Sequence, residues 1–111
     1  MPDLVHNGKH LRRVGSREFP LDSVSGFCKR RNIRKLALFG SVLREDFDDE
    51  SDIDVLVEYK PEHAPGLDFF SHQEELSRIL HRSVDLNTPD SLSKYFRDEI
   101  LREAVVLYDE A

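Results

Sequence analysis

Two stretches decide how this chain folds: Leu36-Ala37-Leu38-Phe39-Gly40-Ser41 and, after ten intervening residues, Asp52-Ile53-Asp54-Val55-Leu56-Val57-Glu58. The first is a short continuous apolar run stopped by a glycine, the pattern of a strand buried on both faces. The second alternates. Ile53, Val55 and Val57 point one way, and Asp52, Asp54, Leu56 and Glu58 the other, because successive strand side chains leave opposite faces.

The flanking segments supply helices. Before the first stretch, Leu21, Val24, Phe27 and Cys28 recur at helical spacing and Asn32 ends the run. After the second, Pro61 to Gly66 reads as a loop and Leu67 to His81 as an amphipathic helix carrying Phe69, Phe70, Leu76, Ile79 and Leu80. Val84-Asp85-Leu86 is a third short strand. Pro89 and Asp90 break it, and Ser91 to Ala104 reads as a last helix with Leu92, Tyr95, Phe96, Ile100 and Leu101 on its apolar side. Val105 to Tyr108 is either an edge strand or a continuation of that helix. Strands interleaved with helices predict an α/β (α+β) domain, a small mixed β-sheet with helices packed on it, over residues 20–111. Residues 1–19 show neither period and carry Gly8 and Gly15. They are expected to form a flexible N-terminal arm, with at most a short strand at His10 to Val14.

Composition narrows the function classes. The chain has 111 residues, enough for one core, and a net charge of -6, which argues against bulk nucleic-acid binding by phosphate neutralisation. That charge is partitioned, with +6 in residues 1–35 and -12 in residues 36–111. The two halves read either as solvated faces of opposite sign or as a cation-holding acidic block beside an anion-facing basic stretch, Lys29 to Lys35. No apolar run approaches the ~20 residues of a membrane helix, and the N-terminus has no secretory h-region. Cys28 is the one cysteine, so an internal disulfide is excluded and a reducing cytoplasm is the expected setting. The five histidines show no metal-ligand spacing.

The chemistry gathers on the alternating strand. Asp52 and Asp54 share a face, and two carboxylates about 4 Å apart repel by roughly 4 kcal/mol at a near-surface dielectric. Either the pair is simply exposed, or one member stays protonated, or a cation lies between them. Their hard oxygens suit Mg²⁺ or Mn²⁺, which complete their shell with water and substrate phosphates. Gly40 lets the backbone turn sharply, and free amides after Ser41 suit a phosphate, with Arg44 either a further cation for it or an ion-pair partner of Glu45 or Asp46. Asp85 stands on its strand opposite to Val84 and Leu86. One phosphate cradle and three carboxylates are the parts that metal-assisted nucleotidyl transfer needs.

The pattern Phe39-Gly40-Ser41-x10-Asp52-Ile53-Asp54-Val55-Leu56-Val57-Glu58 resembles the signature of the DNA polymerase beta-type nucleotidyltransferase superfamily. From about residue 21 to 109 the chain is similar to the minimal nucleotidyltransferases, the antitoxin partners of HEPN proteins. The resemblance implies that Gly40, Ser41 and Arg44 face the triphosphate, and that Asp52, Asp54 and Asp85 are the catalytic, Mg²⁺-binding carboxylates. It implies transfer of AMP from ATP to a hydroxyl, a tyrosine of a HEPN-type toxin, which silences that toxin. The chain departs from the family pattern at Val42, where a small or basic residue is common, and at Glu45, where a glycine is common. A non-catalytic antitoxin that neutralises its partner by binding alone is the alternative expectation.

Overall fold

A computed structural model describes residues 4–6, 9–44 and 51–110. In chain order the elements are β1 (Leu4–His6), β2 (Lys9–Val14), β3 (Arg17–Pro20), α1 (Leu21–Arg30), β4 (Ile33–Phe39), β5 (Ile53–Tyr59), α2 (Phe69–Leu80), β6 (Val84–Asn87), α3 (Arg97–Glu103) and β7 (Val105–Asp109). Four strands form the central sheet in the order β6-β5-β4-β7. β4 runs antiparallel to β5 and β7, while β5 and β6 are parallel and joined through α2.

The central strands take their places because of their composition. Leu36, Ala37, Leu38 and Phe39 are all buried, as a continuous apolar run requires. Ile33, Leu36, Leu38, Ile53, Val55 and Val57 meet Val24, Phe27 and Cys28 of α1 and Leu76 of α2 in the core. The second face carries Asp54 beside Phe39 and Leu56 beside Ala37, as cross-strand partners. Leu56 is buried as well, because Leu101, Ala104 and Val106 close over it with Lys35 and Glu58 at the rim.

Three expectations need correction. The first concerns residues 1–19. β1, β2 and β3 form an antiparallel sheet of their own, and Val14 and Phe19 are 5% and 2% exposed in the main core. The segment from Lys9 onward is therefore built into the domain, not hung from it as an arm. Arg12, Arg13 and Arg17 hide the strand alternation, but Arg12 is committed internally, donating from Nη1 to the Val106 carbonyl at 2.6 Å.

The second concerns Ser91 to Ala104. A single 3-10 turn covers Pro89–Ser91, and regular helix begins only at Arg97. The Ser91 hydroxyl accepts from the Thr88 amide at 3.0 Å and that of Ser93 accepts from the Tyr95 amide at 3.4 Å. These local bonds compete with helix propagation. Tyr95 and Phe96 are left 82% and 59% exposed. The third is Phe70, expected in the core but exposed on α2, whereas Phe69 packs against the core. The final strand resolves as an edge strand, β7. The basic stretch turns inward to carboxylates, with Arg30 and Arg31 both on Glu75 and Arg34 on Glu58.

Candidate active site

The site is assembled where β4 ends and β5 begins. Gly40 leaves β4 with φ +75°, a left-handed conformation that disfavours side chains, and opens a 3-10 turn over Gly40–Leu43. A Cβ built on Gly40 would collide with the Asp54 Oδ2 oxygen. The glycine is therefore required twice, by its backbone and by the carboxylate against it. Ser41 follows, half-buried, its carbonyl accepting from the Arg44 amide at 3.0 Å. Arg44 is exposed. Val42 is fully buried, so its departure from the family pattern serves the core. Glu45 and Asp46, weighed as ion-pair partners of Arg44, lie outside the described residues.

The three carboxylates come from neighbouring positions. Asp54 stands in register between Phe39 of β4 and Asp85 of β6. Asp52 immediately precedes β5, and both Asp52 and Asp85 are exposed while Asp54 is half-buried. Burial, and then the charges of Asp85 and Asp52, push the Asp54 carboxyl above its ordinary value of 3.8. The three groups thus interact electrostatically. Among the described residues, no three His, Cys, Asp or Glu side chains stand already arranged to hold a metal ion. The donor chemistry nevertheless fits a hard divalent cation: all-oxygen, like-charged ligands, two of them in register on adjacent strands.

Several residues that hold this site carried no signal in the sequence, because they act through tertiary approach. Arg82 donates from Nη2 to the Ser51 carbonyl at 2.6 Å, and the Ile53 amide donates to the Ser83 carbonyl at 2.9 Å. Asp52 is thereby bracketed on both sides. Gly15, at the β2–β3 turn with φ +61°, lies so close to the Gly40–Leu43 turn that a Cβ there would stand 2.6 Å from the Val42 carbonyl oxygen. The nearest signals were the glycine itself and the Arg82-x-Val84-Asp85 sequence, neither of which states a contact. A cavity of about 460 Å³ lies elsewhere, between β2, β3 and the ends of α1 and α2, and touches β5 only at Ile53. It is lined by none of Gly40, Ser41, Arg44, Asp52, Asp54 and Asp85.

Comparison with known proteins shows the family. The family described as Polymerase beta, Nucleotidyltransferase matches residues 23–111. The protein adenylyltransferase MntA of Thermococcus cleftensis is 35% identical over 78 residues, covering 69% of this chain and 77% of its own. A protein solved as a minimal nucleotidyltransferase superposes with a TM-score of 0.65 at 29% identity, over 77% of this chain and 86% of that one. A tri-AMPylated Shewanella oneidensis HEPN toxin in complex with its MNT antitoxin gives a TM-score of 0.59 at 19% identity, over 80% of this chain and 69% of the other. At that identity the likeness concerns the fold. With its glycine-serine turn set against paired carboxylates on the adjoining strand, the chain belongs to the polymerase beta-type nucleotidyltransferase family and is a nucleotidyltransferase.

Proposed function

We propose that this nucleotidyltransferase moves AMP from ATP to a tyrosine hydroxyl of a HEPN-type toxin and so acts as that toxin's antitoxin. The observation that carries the reading is the contact between the Gly40 turn and Asp54, with Asp85 next in register. That proximity supports a reading in which the turn takes the phosphates and the carboxylates take the cation of one ligand. The relatives' names supply the class of acceptor, since one is a protein adenylyltransferase and another pairs an MNT antitoxin with an AMPylated HEPN toxin.

The chemistry follows from these positions. Backbone amides after Gly40 and the Ser41 hydroxyl hold the β- and γ-phosphates, and Arg44 adds charge at the rim. Asp52 and Asp54, joined by Asp85, would hold Mg²⁺. The ion, when bound, neutralises the triphosphate and polarises its α-phosphorus. The acceptor oxygen attacks that phosphorus, and its bond to the bridging oxygen breaks. Pyrophosphate leaves with the electron pair, and Asp85 takes the hydroxyl proton.

The test is the intact mass of the co-purifying partner after incubation with ATP and Mg²⁺. It is run beside the Asp52→Asn/Asp54→Asn double variant. A gain of one or more AMP units with the wild type alone is the expected result. A partner that both versions silence without any change of mass would leave a binding antitoxin on a transferase fold.

A further inference from the structure

β6 is an edge strand of the central sheet, and an edge strand has outward amides that no neighbouring strand can satisfy. Here two α2 side chains satisfy them. The Val84 amide donates to Ser77 Oγ at 3.1 Å and the Leu86 amide to Gln73 Oε1 at 2.9 Å. Ser77 is itself oriented, donating to the Gln73 carbonyl at 2.9 Å. Gln73 and Ser77 are one turn apart on α2, so both reach the same strand. The two amides they hold lie immediately before and after Asp85. The Asp85 side chain is exposed while Val84 and Leu86 are 6% and 4% exposed. The place of the Asp85 carboxylate therefore follows that of its backbone. Its backbone is held toward β5 by sheet pairing at Asp54, at its own carbonyl by the Asn87 side-chain amide at 3.0 Å, and on the outer side by this side-chain ladder.

We propose that Gln73 and Ser77 are positioning residues for Asp85, fixing the height of β6 so that its carboxylate joins those of Asp52 and Asp54 on one cation. The inference rests on the nucleotidyltransferase reading of those three carboxylates. Groups that orient metal ligands typically account for 10–100-fold in metal affinity or activity. That range sets the scale expected here.

The experiment measures Mn²⁺ binding by electron paramagnetic resonance, with a non-hydrolysable ATP analogue present. It compares the wild type, Ser77→Ala, Gln73→Met and their double variant, with Ser77→Thr and Gln73→Glu as variants that keep an acceptor oxygen. Circular dichroism and amide exchange at Val84 and Leu86 report the fold and the released amides. The double variant should bind Mn²⁺ about tenfold more weakly, with Ser77→Thr and Gln73→Glu near the wild type. If the double variant does not fold, Ser77→Ala alone should weaken Mn²⁺ about threefold. Folded variants with freed amides and unchanged Mn²⁺ affinity would overturn the positioning role and leave the transferase reading intact. So would a loss that the acceptor-keeping variants share. A wild type that binds no Mn²⁺ with the analogue would overturn both.

Discussion

Asp54 is the residue at which stability and chemistry oppose each other. Its carboxyl is pushed up first by burial and then by Asp85 and Asp52, so ionisation is harder in the folded chain than in the unfolded one. An acid raised in this way contributes stability that is fully present below the ordinary value of 3.8 and lost as pH rises through the raised value. At pH 7, then, Asp54→Asn should abolish nucleotidyl transfer and yet raise Tm. The rise should be about 2–4 °C for each ~0.5 kcal/mol of relieved repulsion. The gain should shrink as the pH of the melt is lowered toward 3.8, and thermal melts from pH 7 to pH 4 check both statements. Gly40→Ala behaves oppositely. It adds a Cβ against the Asp54 carboxylate at a backbone conformation that costs about 1–2 kcal/mol for an L-residue, so stability and transfer should fall together. Gly40, Asp52 and Asp54 were legible from spacing, and Asp85 from strand alternation, because each announces itself by residue type and period. Gln73, Ser77, Arg82 and Gly15 were not, since a hydrogen bond from a helix to a sheet edge leaves no period in the sequence.

At the scale of elements, the β2–β3 hairpin and the segment from Pro89 to Glu103 show what pattern reading loses. The hairpin was hidden by its arginines, which occupy positions that a half-buried strand usually gives to neutral side chains. Yet Phe19 is buried, and Gly15 rests on the carbonyl of Val42 in the Gly40–Leu43 turn. Truncating such an aromatic typically costs about 3–5 kcal/mol. Phe19→Ala should therefore lower stability by that order in a urea titration, where a loose arm would show no change. The last helix was over-read because Tyr95, Phe96, Ile100 and Leu101 fall at helical spacing, whereas Ser91 and Ser93 spend their hydroxyls on neighbouring amides. Spacing measures where side chains would fall if the helix formed, not whether local bonds let it form. α2 carries a separate consequence. His72 is 8% exposed, its Nδ1 lies 2.8 Å from the Tyr59 hydroxyl, and burial and then Arg31 hold its pKa below 6.5. A base lowered on folding contributes stability present above 6.5 and lost as pH falls through the lowered value. The His72 contribution should therefore fall as pH drops below 6.5, and thermal melts of His72→Gln against the wild type should show their difference in stability change over that range.

At the scale of the whole molecule, the opposed charges of the two halves are brought together by folding. Arg30, Arg31 and Arg34 of the basic half meet Glu75 and Glu58 of the acidic half, and Arg12 crosses from β2 to the β7 carbonyl of Val106. Exposed pairs of this kind contribute about 0–1 kcal/mol each, so they align the halves more than they stabilise them. The apolar core does the larger part, since it draws side chains from β2, β3, α1, β4, β5, α2, β6 and β7 into one cluster. A chain this size with a single shared core should unfold in one step. Cys28 offers a direct probe of that claim. It is fully buried in the cluster, and burial, then Glu110, pushes its thiol from 9.0 up to about 12. At pH 8 that lowers the reactive thiolate about a thousandfold relative to an unperturbed thiol. Alkylation by iodoacetamide should consequently proceed only through unfolded molecules, and its rate across a urea series should follow the fraction unfolded seen by circular dichroism. Labelling that ran ahead of the circular-dichroism transition would mean that α1 opens separately from the sheet, and that the domain is not one cooperative unit.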